Sequence, residues 1–384
     1  MCLKLERPRQ VELADVLLQF GDWKAYSQQE SKVINHIINC RTPALGGHKQ
    51  KCDHCNAEHI LYNSCCDRHC PKCQYLERQK WVEARVEELL PVQYFHVVFT
   101  MSSHLYKIFL KNKKICYNLF FKASSDTIKE VVASKLKAEA GFYGVNHSWN
   151  QQQGYHPHAH YVVAGGGLSL DGDQWISSKQ NYFLPIRILS KVFRGKLLSL
   201  LESNYKNLKE VESFEKLKVQ LKKAAQKKWV VYCKQPFAGP EQVVEYLGNY
   251  THRIALSNSR IININKEDVT FTYRDRKENK TKELTIKGVE FVKRFLNHIV
   301  PKKFNRIRYY GFLGRRGKKK KLEKIRTLLS VKKVEEQSFE KDWKELLKEK
   351  LGLDPTLCKV CKVGHMIKLG KIESVLLQKS KDTS

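Results

Sequence analysis

Apolar residues along this chain change period several times, and each change marks an element. Over residues 10–39, Val11, Leu13, Val16 and Leu17, then Val33, Ile34, Ile37 and Ile38, recur at helical spacing. The stretch 40–48 (CRTPALGGH) breaks that pattern with turn-forming residues. Helical spacing returns over 74–90, where Val82, Val86, Leu89 and Leu90 fall at i, i+4, i+7 and i+8 and Pro91 ends the run. The run 94–101 (YFHVVFTM) reads as a strand, 104–140 as helix with Lys107, Lys111, Lys113 and Lys114 exposed, and 141–149 (GFYGVNHSW) as a second strand. A third strand lies within 154–167 (GYHPHAHYVVAGGG). Then come lysine-rich helix over 186–228, a strand over 228–235, a helix over 241–251 started by Pro240, and a strand pair at 260–266 and 268–274. A short helix lies within 285–296.

Strands and helices mix without βαβ alternation, so the expected class is α+β around an antiparallel sheet with flanking helices, preceded by a small helical domain. From Gly314 the composition turns basic (GRRGKKKKLEK), which reads as a linker, followed by an amphipathic helix over 338–351 and a cysteine-bearing tail. The expected division is 1–92, 93–315 and 316–384.

Charge narrows the partners. Lys and Arg number 70 against 39 Asp and Glu, a net +31 spread over most of the chain, which implies a polyanion. Nucleic acid comes first and an anionic membrane surface second. The first ten residues lack the apolar core of a signal peptide, and no apolar run approaches the roughly 20 residues of a membrane helix. The expectation is a cytoplasmic protein.

Of 12 cysteines, six lie from Cys52 to Cys73, and clustering without an export signal points to metal. Two CxxC pairs, Cys52 with Cys55 and Cys70 with Cys73, have the spacing of one four-cysteine zinc site. Cys65, Cys66, His54 and His69 share that loop, and Cys40 and His48 are candidates for a second site. A third pair, Cys358 and Cys361, has only His365 nearby, and either completes a site with another segment or stays unmetallated.

On a strand, His158 and His160 project to the same face, where two neutral imidazoles can hold one cation. His156 shares that face by parity, but Pro157 can bend it away, so it is a candidate third ligand. Tyr246 and Tyr250 stand four apart and leave one face of the 241–251 helix. A phenol with a pKa of about 10 is a poor nucleophile at neutral pH. A divalent cation that draws charge from a phosphodiester oxygen would help it attack in line. Because the phosphate is a hard ligand, that cation is expected to be magnesium or manganese.

Together these blocks resemble the two-tyrosine HUH transposases of bacterial insertion sequences that move by rolling-circle transposition (the IS-ninety-one type). The resemblance covers roughly residues 10–315. It is carried by CRTPALGGH at 40–48, YNSC at 62–65, RHCPKC at 68–73, YFHVVFT at 94–100, HPHAH at 156–160 and GGGLSLDG at 165–172. It continues through KQPFAGPEQVVEYLGNYTHRIALSNSRI at 234–261 and RFLNHIVPKKFNRIRYYGFL at 294–313. Cys66 and Tyr161 depart from the usual pattern, and neither belongs to the catalytic set.

The resemblance implies an amino-terminal zinc-binding, DNA-binding domain and an HUH nuclease domain with metal on His158 and His160. It also implies Tyr246 and Tyr250 as nucleophiles that form a 5′-phosphotyrosine on single-stranded element ends. His252, Arg253, Arg306 and Arg308 are expected on DNA, with Tyr309, Tyr310 and Phe312 as stacking platforms. The alternatives are a replication initiator or relaxase, which shares the chemistry without the zinc module, and a non-catalytic zinc-dependent DNA-binding regulator.

Overall fold

The computed structural model describes residues 10–179, 184–234, 255–275, 277–331 and 354–375, with positions 248, 344, 345, 348 and 352. Its strands, in chain order, are β1 (Gly47–Cys52), β2 (Glu58–Tyr62), β3 (Tyr94–Thr100), β4 (Ala138–Trp149), β5 (Tyr155–Ser169) and β6 (Trp175–Ser177). Then follow β7 (Val231–Lys234), β8 (Ile261–Ile264), β9 (Asp268–Asp275), β10 (Lys280–Lys287), β11 (Ile307–Gly311) and β12 (Met366–Ile372). Among the described residues no helix is long and apolar enough to cross a membrane.

The chain forms two compact units that are not consecutive in sequence. The larger comprises Trp81–Arg253 and Arg294–Val334. Its antiparallel sheet runs β11-β4-β5-β3-β7, with β6 added to the end of β5. Alternate residues of a strand face opposite sides. One side presents Phe95, Val97, Phe99, Phe142, Ala159, Tyr161 and Val163, all buried against Lys113–Leu136, Ile186–Ser203 and Phe214–Gln226. Each such side chain contributes roughly 1.5–3 kcal/mol by leaving water.

Tyr161 fills the centre of this layer. Its hydroxyl lies 2.6 Å from Ser124 Oγ, and a Cβ at Gly144, its partner across the sheet, would stand 2.3 Å from its ring. Among the described residues, the opposite side of the sheet carries a second apolar cluster at one end. There Tyr94, Tyr143, Val162 and Ala164 pack with Leu90, Phe312, Leu313, Leu322 and Ile325. Coverage on both sides explains why β5 reads as a continuous apolar run after its histidines.

Leu322 and Ile325 come from the helix Lys318–Leu328, so the basic stretch expected to be a linker belongs to this unit. Leu322 and Ile325, at i and i+3, dock this helix, with Leu328 and Leu329 partly buried beside them. The long helical stretch also resolves differently. It splits at Asn112 into Tyr106–Lys111 and Lys113–Leu136, and β4 begins at Ala138.

The smaller unit joins Met1–Lys80, Ile254–Lys293 and Glu335–Ser384. Its first helices, Leu13–Phe20 and Gln28–Asn39, bury Leu13, Val16, Leu17, Val33, Ile34 and Ile37. Ser27 caps the second helix by accepting from Glu30 N, while Glu30 accepts from Ser27 N at 2.9 Å. One sheet has the order β12-β1-β2 and another β10-β9-β8. Within this unit the tail strand β12 pairs with β1, where the reading from sequence divides the chain at 92 and 315. A strand whose polar edge seeks a partner takes one wherever the chain returns it. The amphipathic helix expected over 338–351 lies outside the described residues.

Candidate metal centres and nuclease site

β5 lies between β4 and β3, and this register creates a histidine cluster. His158 stands opposite His147 on β4, and His160 stands opposite Val145 on β4 and Val98 on β3. Directly opposed residues share a face, so His147 joins His158 and His160. One ring nitrogen from each of the three lies within 4.8 Å of the others. The ring centroids are 5.4 Å apart for His147–His158, 4.9 Å for His147–His160 and 4.8 Å for His158–His160. His147 is 2% exposed and His160 6%.

Neighbouring groups hold the rings of the cluster in place. His158 Nδ1 donates to the His156 carbonyl oxygen at 2.7 Å, which leaves Nε2 with its lone pair toward the cluster. His160 Nδ1 lies 2.9 Å from His96 Nε2, and the two rings stack with centroids 5.2 Å apart. His147 stacks on Trp149 at 4.6 Å. Three imidazoles with one ring nitrogen each within 4.8 Å of the others suit a divalent cation with open coordination positions.

His156, the candidate third ligand from sequence, is engaged elsewhere. Its Nδ1 lies 2.6 Å from the Tyr106 hydroxyl, and burial pushes that phenol up to about 12, so it stays protonated. His147 takes the expected place of His156. A histidine in 141–149 was visible in the sequence, but its opposition to His158 depends on register, which the hairpin turn between β4 and β5 sets.

That turn is heavily braced. Asn150 Oδ1 accepts from Gln152 N at 3.0 Å and Gly154 N at 2.8 Å, and Gln153 adopts φ +62°. His298 Nε2 donates to the Gln153 carbonyl at 2.9 Å, and Arg294 Nη1 donates to that of Gln152 at 3.0 Å.

The cysteines form two sets rather than the one expected from Cys52, Cys55, Cys70 and Cys73. Cys70 and Cys73 join Cys40 and Cys65, and Cys52 and Cys55 join Cys358 and Cys361, each set with its sulfurs within 4.8 Å. The first set is closed by the loop from 65 to 73, with Cys40 at the end of the second helix. Asp67 organises that loop, since its Oδ1 accepts from His69 N at 2.8 Å and its Oδ2 lies 3.0 Å from His36 Nδ1. Burial opposes charge on Asp67, but the hydrogen bonds from His69 and His36 outweigh it and bring its carboxyl to about 2. In both expected pairs the two cysteines of the CxxC lie in the same set. The spacing could not show which pairs meet, because a knuckle carries no information about its partner.

Of the expected DNA contacts, Arg306 is 8% exposed, with its guanidinium 5.6 Å from the centre of the Trp149 ring, which sets it against a role as a surface phosphate contact. Arg308 lies over Phe121 at 4.4 Å and donates to Asn118. Phe312 is fully buried, Tyr310 stacks on Phe142 at 4.9 Å, and the Tyr309 hydroxyl accepts from Trp81 Nε1 at 3.0 Å. The sheet carries these rings toward its apolar layers, with Tyr309 and Tyr310 only partly buried. Tyr246, Tyr250, His252 and Arg253 lie outside the described residues.

Residues 141–321 match a family model described as "Putative transposase", and residues 13–101 match one described as "Transposase zinc-binding domain". The chain is 42% identical over 387 residues to "Putative transposase y4qJ" of Sinorhizobium fredii (strain NBRC 101917 / NGR234), covering 95% of this chain and 96% of that protein. It is 24% identical over 349 residues to "Transposase for insertion sequence element IS801" of Pseudomonas savastanoi pv. phaseolicola, covering 86% and 82%. A metal-bound conjugative relaxase TrwC in complex with oriT DNA aligns over 41% of this chain and 70% of its own, with 13% identity and a TM-score of 0.23. With both a zinc-binding and a transposase region matched, and a relative aligned along almost its whole length, the chain belongs to the transposase family of the IS-ninety-one type.

Proposed function

We propose that this transposase nicks single-stranded DNA at element ends through a 5′-phosphotyrosine and transfers the strand, as in rolling-circle transposition. The observation that carries the reading is the convergence of His147, His158 and His160 on one buried point of the sheet. A divalent cation there, when bound, would withdraw charge from a nonbridging phosphate oxygen and orient the phosphodiester. An all-imidazole donor set suits a transition ion better than magnesium, which places manganese ahead of magnesium.

The His156 carbonyl orients the His158 ring, and His96 lies 2.9 Å from His160 Nδ1. Tyr246 and Tyr250 are the proposed nucleophiles. One tyrosine oxygen bonds to the phosphorus, the 3′ oxygen leaves as a hydroxyl, and the phosphoester bond is kept for transfer to another strand. Two tyrosines permit two such exchanges. The net +31 charge supports binding to DNA in the bacterial cytoplasm, at the nucleoid.

The test uses a single-stranded element-end oligonucleotide with manganese. Wild-type protein should form a covalent protein–DNA adduct that mass spectrometry places on Tyr246 or Tyr250. The double variant Tyr246→Phe with Tyr250→Phe should bind the same DNA and form none. An adduct on another residue, or unchanged nicking by the double variant, would overturn the tyrosine assignment.

A further inference from the structure

The region matched as a zinc-binding domain ends at residue 101, yet half of one cysteine set comes from Cys358 and Cys361. We propose that Cys52, Cys55, Cys358 and Cys361 hold a second zinc ion that fastens the carboxyl-terminal segment to the amino-terminal module.

Sulfur spacing carries the first part of the argument. With Zn–S near 2.3 Å, a tetrahedral site sets its sulfurs about 3.8 Å apart. Cys52 Sγ lies 3.7 Å from Cys361 Sγ, and Cys55 Sγ lies 3.7 Å from Cys358 Sγ. Disulfides need about 2.05 Å, and nothing brings these pairs to that distance.

Backbone geometry carries the second. The two CxxC turns repeat each other. Asn56 and Lys362, the residues after each second cysteine, both adopt left-handed backbone with φ +60° and +58°. Asn56 N donates to Cys52 O at 3.2 Å, and Lys362 N donates to Cys358 O at 3.0 Å. Cys52 Sγ accepts from His54 N and Cys55 N, Cys358 Sγ from Val360 N, and Cys361 Sγ from Gly364 N, each at 3.4 Å. Backbone N–H groups aimed at sulfur stabilise thiolates, the form that binds zinc. Lys51, Lys359 and Lys362 flank the cysteines and offset the negative charge of four thiolates around one dication.

The two turns are also fitted to each other. Asp53 Oδ1 accepts from His365 N at 2.7 Å, and Asp53 N donates to His365 O at 3.1 Å. A Cβ at Gly364 would stand 2.4 Å from Asp53 Oδ1 and 2.7 Å from Cys52 Sγ, so the close approach requires glycine. β12 then runs antiparallel to β1 from Cys52↔Met366 to Gly47↔Ile372. Zinc binding releases the thiol protons and adds its free energy to this pairing.

Metal analysis of the full chain tests the proposal. Purified wild-type protein should contain two zinc ions per chain, and Cys66→Ser, whose sulfur belongs to neither set and whose backbone the serine retains, should keep both. Cys358→Ser with Cys361→Ser should hold one, as should Cys70→Ser with Cys73→Ser. Should the serine variant fail to fold, Cys361→His supplies a nitrogen ligand and should keep two metals. Its cobalt-loaded form should then show a visible spectrum altered from that of the wild type. One zinc in wild-type protein, or two retained after Cys358→Ser with Cys361→Ser, would overturn the proposal.

Discussion

His147 and His158 face each other directly across the β4–β5 pair, so one of the three converging imidazoles belongs to a different strand from the other two. His147→Ala should therefore abolish manganese-dependent cleavage as fully as His158→Ala. His156→Ala should keep most of it, because the bond to His158 Nδ1 comes from the His156 backbone carbonyl, which alanine retains. Manganese titrations of single-stranded cleavage compare the three. A silent His147→Ala would remove it from the centre.

His96 supports His160 from β3 without joining the cluster. His96→Phe keeps a ring on the strand but loses the nitrogen that fixes His160. A partner of this kind is worth about 10–100-fold in metal affinity. The apparent manganese affinity in cleavage should fall by about that factor, while activity at saturating manganese partly recovers. An unchanged manganese requirement would show that the contact is only packing.

The burial of His298, which braces Gln153, makes stability depend on pH. Burial brings His298 down from its ordinary 6.5 to about 4, so it is neutral in the fold and takes a proton more readily when unfolded. Its contribution is complete above about 6.5 and is lost as pH falls toward 4. The full loss is about 3 kcal/mol, with about 2 kcal/mol gone by pH 5. Asp67 acts in a separate, lower window, between its ordinary 3.8 and about 2. Urea unfolding at pH 7 and pH 5 should show this loss in wild type and a smaller one in His298→Gln. Equal losses would remove His298 as its source.

Gly144 and Tyr161 form a tight pair in the central layer. Gly144→Ala forces the ring of Tyr161 to move from a fully packed site, at a cost of about 1–3 kcal/mol. Tyr161→Leu frees that space, so the double variant should lose less stability than the two single losses added together. Additive losses in urea midpoints would show that the two sites do not share a strain.

The sheet and the His158–His160 pair were legible because alternation and β-branched runs report burial directly. Cysteine knuckles were legible as knuckles for the same local reason. What was not legible depends on contacts between distant segments. The place of His147 needs a register, the set of Cys52 and Cys55 needs the return of residues 358–372 to β1, and the lysine run at 318–321 needed the apolar residues that follow it, Leu322, Ile325, Leu328 and Leu329, weighed as a docking stripe. The aromatic residues at 309–312 resembled a stacking surface because composition does not tell an inward ring from an outward one.

The pairing of β12 with β1 also sets a timetable. Cys358 follows Cys55 by 303 residues, and a ribosome adds about 5–20 residues each second. For roughly 15–60 s of synthesis, the free edge of β1 and the thiols of Cys52 and Cys55 wait without their counterparts. Chains cut short by a premature stop would never close this sheet, so an unfinished transposase would be left with an open edge for proteases to find.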